Sequence, residues 1–479
     1  MMLVKNLSSF LVVGFLPYAV NFFLLPLYAK YLESDDFGII GMITMYIALF
    51  GAWAAFQIPS SVGRLYFEYE GDEKKSLFTT IFLGVIASSI IFVAIYIANA
   101  ELLSSMMFNA DGDFSKYIIL GSISIFLTGI NQLCERWMVV QQRGPLLLLR
   151  SLWAQVINVS AGIILVIYFK MGVAGFLLAM IASQLVVSIA SVWVLRELLT
   201  RNVSFALFKE SFLFSYPLVF HALGGIVFMY SSVFIVEKFL PLSVLGVFVI
   251  AEKYSQVIKV IVNQVNKVVM PFFTKVAKQS EIGALSKMQI IISVWMLIIL
   301  MTVFAYTAMC YFFIPKFMGQ EYSQAPVLVA ILVIGYIFRG FYCFSSATLF
   351  YRKLTNKIPK ITVAAGVFSI ISNVLMIPVF GVYGAALSTV LSFFITYLLA
   401  DYLAPKDFKI VYDWMEMGKI TLLLSGVYIV IFWGATYLPP VAAMISVAIT
   451  SLLIFYCIWS FGMFDFKEKV EVLRNEYAK

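Results

Sequence analysis

The chain has 479 residues, of which 62% are hydrophobic and only 12% charged, with a mean hydropathy of +0.98. A soluble domain carries about 25% charged residues, so water-exposed globular, nucleic-acid-binding and disordered classes are excluded. The formal net charge of +8 does not reopen a nucleic-acid reading, because Lys and Arg fall mainly in alternate short loops between apolar runs. An all-α polytopic membrane protein is expected.

A bilayer crossing needs about 20 mostly apolar residues. Such runs fall at 8–28, 38–59, 77–98, 116–137, 146–168 and 173–194, then at 212–236, 244–270, 288–313, 324–350, 358–379 and 382–403. With 419–437 and 441–463 the total is fourteen. The first run begins after Lys5 and is too long for the apolar core of a signal peptide. It carries Pro17 and Pro26 and no acidic residue. The second places Tyr46, Phe50, Trp53, Gln57 and Arg64 on one helical face, although Pro59 disturbs the phase. Polar positions follow at Asn131, Gln132 and Glu135 late in the fourth, and at Ser151, Gln155, Asn158 and Gly162 in the fifth. The only histidine, His221, follows Pro217 in the seventh and is a candidate for proton coupling, or a packed core residue.

The eighth run is the most informative. Glu252, Gln256, Lys259, Asn263 and Asn266 recur at helical spacing. At 100° per residue they lie within about 40° of one line, flanked by Lys253 and Lys267. A charge at the bilayer centre costs about 2.5–3.5 kcal/mol, so this stripe is expected to face water or protein. It reads as the wall of a hydrophilic cavity, or as a polar seam in which Glu252 and Lys259 neutralise each other. The tenth run sets Gly335, Arg339, Tyr342 and Ser346 on one face. A buried guanidinium must meet a carboxylate, water or an anionic ligand, which leaves anion binding or pairing with Glu252 or Glu135. Lys253, Lys259 and Arg339 outnumber Glu252 within the spans, a balance suited to phosphate or acidic sugars rather than cationic drugs.

Of the 33 Lys and Arg, 25 fall on one side of this layout, 5 on the other and 3 within spans, which places both termini in the cytoplasm. The chain also repeats weakly. Gly172-Val-Ala-Gly175 and Gly381-Val-Tyr-Gly384 open the sixth and twelfth spans, and Ser9-Phe10-Leu11 and Ser211-Phe212-Leu213 open the first and seventh. Small residues continue at four-residue spacing as Gly175, Ala179, Ser183 and as Gly384, Ser388, Ser392, a pattern that lets helices approach closely. Two six-helix halves, 1–200 and 205–405, related as a parallel repeat and followed by an added pair with a tail at 410–479, are the expected domains.

No loop is long enough for an extramembrane catalytic domain, and no GxxxxGK[ST] phosphate loop is present. Asp111 and Asp113 read as a solvated loop. Cys134, Cys310, Cys343 and Cys457 form no CxxC pair, so neither a metal site nor a disulfide framework is called for. No enzyme activity and no cofactor are expected.

Three segments carry a family resemblance. Pro26-Leu-Tyr-Ala-Lys30-Tyr-Leu-Glu-Ser-Asp-Asp-Phe37-Gly38 joins the first two helices. Ser61-Val-Gly-Arg64-Leu-Tyr-Phe-Glu68 follows the second, and Leu245-Gly246-Val-Phe-Val-Ile-Ala251-Glu252-Lys253-Tyr254 opens the eighth. Together they resemble Wzx-type polysaccharide flippases of the multidrug/oligosaccharidyl-lipid/polysaccharide exporter superfamily. The resemblance implies two six-helix lobes in a V that alternate between inward-open and outward-open states. It also implies export of an undecaprenyl-pyrophosphate-linked oligosaccharide (an O-antigen, capsule or exopolysaccharide unit) from the inner to the outer leaflet of the cell membrane. Implied partners are this lipid-linked glycan, membrane lipid, a polysaccharide polymerase and chain-length proteins. The matching lumen cations are Arg64, Lys253, Lys259 and Arg339, with Glu252, Gln256, Asn263 and Tyr342 as further cavity residues and Glu252 or His221 as candidates for ion coupling. Fourteen helices depart from the twelve-helix family core, and the added pair resembles that of lipid II flippases. A cation-coupled multidrug exporter and a lipid II flippase are the alternatives.

Overall fold

The computed structural model describes residues 16–109, 112–460 and 463–478. Lys5, Ser9-Phe10-Leu11, Asp111 and Lys479 lie outside the described residues, as do the side chains of Asn266 and Arg474. Among the described residues all regular structure is helical. The main helices are α1 (Leu16–Tyr28), α2 (Ser34–Ala54), α3 (Gly71–Ala98), α4 (Ser115–Val140) and α5 (Gly144–Gly162, continued by a π-helical stretch over Ile163–Tyr168). They continue as α6 (Gly172–Val194), α7 (Phe205–Phe239), α8 (Leu242–Gln279), α9 (Glu281–Met318) and α10 (Ala325–Tyr351). The last are α11 (Lys357–Phe380), α12 (Val382–Leu403), α13 (Trp414–Ala435), α14 (Pro440–Ser460) and the polar α15 (Phe466–Ala478).

Twelve helices among the described residues are long and apolar enough to cross a membrane. With α1 and the polar-striped α8, each of the fourteen expected spans meets a helix, and the chain is a multi-pass membrane protein. Helices are the elements that lipid permits, since a backbone in hydrocarbon must satisfy its own hydrogen bonds. Several run longer than the apolar stretches that announced them. At 35 residues and 1.5 Å per residue, α7 extends about 52 Å, well beyond a hydrocarbon core of about 30 Å, with Pro217 inside it. The second ends earlier than expected. Phe56 and Gln57 take left-handed φ values of 44° and 55°, and a 3₁₀ turn over Ile58–Ser61 leads into a short helix at Val62–Leu65. Gln57 and Arg64 are therefore not on one continuous helical face with Tyr46, which corrects the five-residue stripe.

The chain forms two compact units. The first contains Met1–Lys253 with Thr362–Ala385, and the second Tyr254–Ile361 with Ala386–Lys479. In the first, Trp137 is wholly buried, with ring centroids 4.8 Å from Phe78 and 5.3 Å from Tyr66. Tyr46, also fully buried, shares a hydrogen bond of 2.7 Å with Ser122. The starts of α2 and α8 meet backbone to backbone, because a side chain on Gly246 would overlap the Ser34 carbonyl and one on Gly38 would stand 2.5 Å from the Leu242 carbonyl oxygen. Ser231 on α7 bonds Ser369 on α11 at 2.8 Å.

The two Gly-x-x-Gly motifs adopt the same local form. Gly172 and Gly381 hold φ at 56° and 59°, a region that glycine enters without strain. Three residues later, Gly175 and Gly384 press against carbonyls of the preceding helix, at Leu165 and Met376. In the second unit, Trp295 on α9 fills the notch left by Gly340 on α10, its ring 5.5 Å from Phe341 and 5.1 Å from Phe344. The added pair covers α9, where Ala308 and Phe312 pack with Ala435, Ala443 and Val447. Its outward residues Leu422, Ile429 and Leu452 are 75%, 66% and 71% exposed, as helices bathed in lipid require.

Candidate functional site

The polar stripe of α8 occupies the face opposite the one that folds. Within the second unit Tyr254, Ile258 and Val262 are buried, and α9 holds this face. The Tyr306 hydroxyl donates to the Tyr254 carbonyl at 2.8 Å, and the Tyr254 hydroxyl donates to Met318 Sδ at 3.4 Å. Gln256, Lys259 and Asn263 lie about half a turn away and are only half-buried. Glu252 and Lys253, on the same helix but in the first unit, are half-buried too. Within the second unit α8 thus supplies a packed apolar edge and a polar edge that carries Lys259.

Arg339 joins this edge from α10. Its Nε donates to Asn263 Oδ1 at 3.2 Å, and its guanidinium stands 5.9 Å from the centre of the Phe393 ring. The close approach that permits this is made by Gly335, where a side chain would come within 3.0 Å of Phe393 and 3.4 Å of the Val390 Cα. The neutral Asn263 carboxamide orients the cation without cancelling its charge. Tyr342, one turn on and half-buried, also packs on the apolar group formed by Leu349, Ile361 and Ala400. Ser346, expected beside it, is buried and donates to the carbonyl of Cys343 at 3.0 Å.

In the first unit, Arg64 is exposed, pairs with Glu68 at 2.7 Å and stands 5.5 Å from the Phe214 ring centre. Next to it the Tyr69 hydroxyl donates to Glu210 Oε2 at 2.6 Å, and this bond holds the phenol up at about 12. Glu135 meets Arg150 at 3.1 Å, whereas Arg339 bonds Asn263. His221 is exposed on α7. Among the described residues no group of three His, Cys, Asp or Glu could hold a metal ion.

Two features escape a reading of single helices. Arg150 is the centre of a polar network joining α4, α5 and α6. It donates to Asn131 Oδ1 at 2.9 Å and to Ser191 Oγ at 3.2 Å. Asn131 in turn donates to Ser188 Oγ at 2.7 Å and to the Gln184 carbonyl at 3.1 Å. A polar pocket of about 240 Å³ opens beside it, lined by Gln57, Ser60, Gln132, Glu135 and Arg136. The second feature is a row of rings along α7. Phe208, Phe212, Tyr216 and Phe220 follow at four-residue spacing with centroids 6.2, 6.0 and 5.5 Å apart, and Trp53 and Phe56 of the α2 end pack on the row. The spacing was visible in the sequence, but in a chain with 45 Phe it does not stand out.

The sequence model of the family described as "Polysaccharide biosynthesis protein" matches residues 3–277. No curated protein matches the sequence. Among solved structures, the lipid II flippase MurJ in an inward-closed conformation superimposes with a TM-score of 0.74 at 14% identity, covering 96% of this chain and 98% of that one. An inward-facing multidrug resistance MATE transporter of the MOP superfamily gives 0.63 at 13% identity over 83% and 96%. A eukaryotic MATE transporter gives 0.60 at 15% identity over 88% and 98%. At such identities the structures show a shared fold, and the sequence match shows the family. The chain is a member of the polysaccharide biosynthesis protein family, built on the fold shared by MurJ and the MATE transporters.

Proposed function

We propose that the protein is a flippase that carries an undecaprenyl-pyrophosphate-linked oligosaccharide from the cytoplasmic to the outer leaflet by alternating access. The reading is supported above all by one observation, the guanidinium of Arg339 oriented by the neutral Asn263 beside the lysine-bearing edge of α8. A pyrophosphate with about two negative charges needs such cations to leave the interface. Its outward movement down an inside-negative potential of about 100 mV is favourable by about 4–5 kcal/mol, so no ATPase domain is required. In this reading Arg64, Lys253, Lys259 and Arg339 handle the anionic head. Gln256, Asn263 and Tyr342 complete the cavity, and Glu252 or His221 serves any coupled ion. The two six-helix halves at 1–200 and 205–405 move as the gating elements, both termini are cytoplasmic, and a polymerase with chain-length proteins receives the product. The protein acts as a transporter and not as an enzyme.

A lipid II flippase is the second reading, favoured by the extent of the structural match to MurJ, which includes nearly the whole chain. Drug export ranks lower, because α1 and the sequence before it, from Leu7 to Leu27, contain no carboxylate to bind a coupling cation.

Deleting the gene and profiling lipid-linked saccharides by mass spectrometry tests these readings. Accumulation of one undecaprenyl-pyrophosphate glycan with loss of surface polysaccharide is the expected result. Accumulation of lipid II would select the second reading, and an unchanged lipid profile would sink both.

A further inference from the structure

A groove of about 340 Å³ runs along the outside of the first unit between α5 and α6. Leu149, Trp153 and Ile157 form one wall, Val186, Ala190 and Trp193 the other. Its mouth is open, since Leu149, Trp153, Val186 and Trp193 are 52%, 57%, 47% and 64% exposed. Among the described residues nothing fills it, and α5 is the least covered of the apolar spans, with 11% of its apolar window buried. A purely apolar groove would be wetted by any acyl chain. This one carries an arginine in its lining and a second over one of its tryptophans.

Arg150 lines the groove with its guanidinium fixed by Glu135, Asn131 and Ser191, so its charge is held in place at no further entropic cost. Arg196 lies over the Trp193 ring at 4.3 Å, at the same end of the helices. Arg136, Arg143 and Arg201 flank that end in the adjoining segments, against the carboxylates of Glu135 and Glu197. Basic pockets between transmembrane helices are the chemistry that recognises anionic headgroups, and tryptophans settle at the headgroup level.

We infer that this groove binds one anionic glycerophospholipid, its acyl chain against Trp153 and Ala190 and its phosphate between Arg150 and Arg196. The site is separate from the polar edge of α8 and does not depend on the transport proposal. Native mass spectrometry of the purified full chain tests it, with phosphatidylglycerol and phosphatidylcholine as probes. The wild-type protein retains phosphatidylglycerol in preference to phosphatidylcholine. Arg196→Gln lowers phosphatidylglycerol retention about 5-fold, the effect of one cation near an anionic surface, and leaves phosphatidylcholine unchanged. Ala190→Trp fills the groove and removes the retained lipid, while gel filtration confirms a folded protein. Equal retention of both lipids, undiminished retention by a folded Ala190→Trp variant, or displacement of the glycerophospholipid by equimolar polyprenyl phosphate would each overturn the assignment.

Discussion

Arg339 and Arg150 are both guanidiniums in apolar helices, and their partners separate their roles. Arg150 meets a carboxylate, an amide and a hydroxyl, which fix its guanidinium in the lining of the α5–α6 groove. Losing the half-buried amide at the centre of this network in Asn131→Ala is expected to destabilise the protein by about 1–3 kcal/mol. Glu135→Gln removes a half-exposed ion pair worth about 0.2–1 kcal/mol, so the order of the two melting temperatures in detergent checks this assignment. Arg339 is bonded to an amide alone among the hydrogen bonds described for it. Arg339→Ala and Lys259→Ala should each cut surface glycan about 10-fold at unchanged protein level, the loss of one charge-assisted contact of about 1.5–3 kcal/mol. Wild-type glycan display in the double variant would remove the α8 edge from the transport path. Tyr69 offers a control on pH. Its phenol is raised to about 12 by Glu210, so the stabilisation is present below the usual value near 10 and disappears as pH rises through the folded value. Tyr69→Phe should therefore lower the melting temperature by a constant amount from about pH 6 to about pH 9.

At the scale of elements, close helix contact depends on glycine where lipid removes the hydrophobic drive between helices. Gly246 abuts the Ser34 carbonyl, and Gly225, one helix earlier, has open space beside it. Gly246→Val should prevent accumulation of folded protein, at a cost above about 3 kcal/mol, while Gly225→Ala is tolerated. Fluorescence-detected gel filtration of tagged variants distinguishes them, and equal peaks would show that the α2–α8 contact is dispensable. Helix existence was legible in the sequence because a run of about 20 apolar residues has few alternatives in a bilayer. Helix ends were less so. The break after Ala54 turns on Phe56 and Gln57 holding left-handed φ values, and neither residue type announces such a conformation.

For the whole molecule, the added pair α13–α14 buries Ala308 and Phe312 of α9 and ties α15 back through Lys469, which pairs with Glu416. Glu416 also accepts from Ser293 at 2.9 Å. The loop charges predict that alkaline phosphatase fused after Lys170 is active and that fused after Lys409 is inactive, with the pattern reversed for a cytoplasmic reporter. Activity at both points would refute the orientation.

The sequence by itself determined the class, the fourteen helices and the polar edge of α8. Those depend on periodicity and length within one segment, where a 3.6-residue repeat is the whole geometry. It also marked the matching glycine motifs, because a left-handed φ and a close approach leave glycine as the strain-free choice. Only the tertiary structure decided which polar groups meet. Arg339 was open to Glu252 or Glu135, and its hydrogen bond goes to Asn263, 76 residues away in sequence. Glu135 was taken by Arg150 on the next helix. A helix's own pattern states which face is polar. The depth and rotation of its neighbour, set by small residues such as Gly335 and Gly340, decide what that face touches.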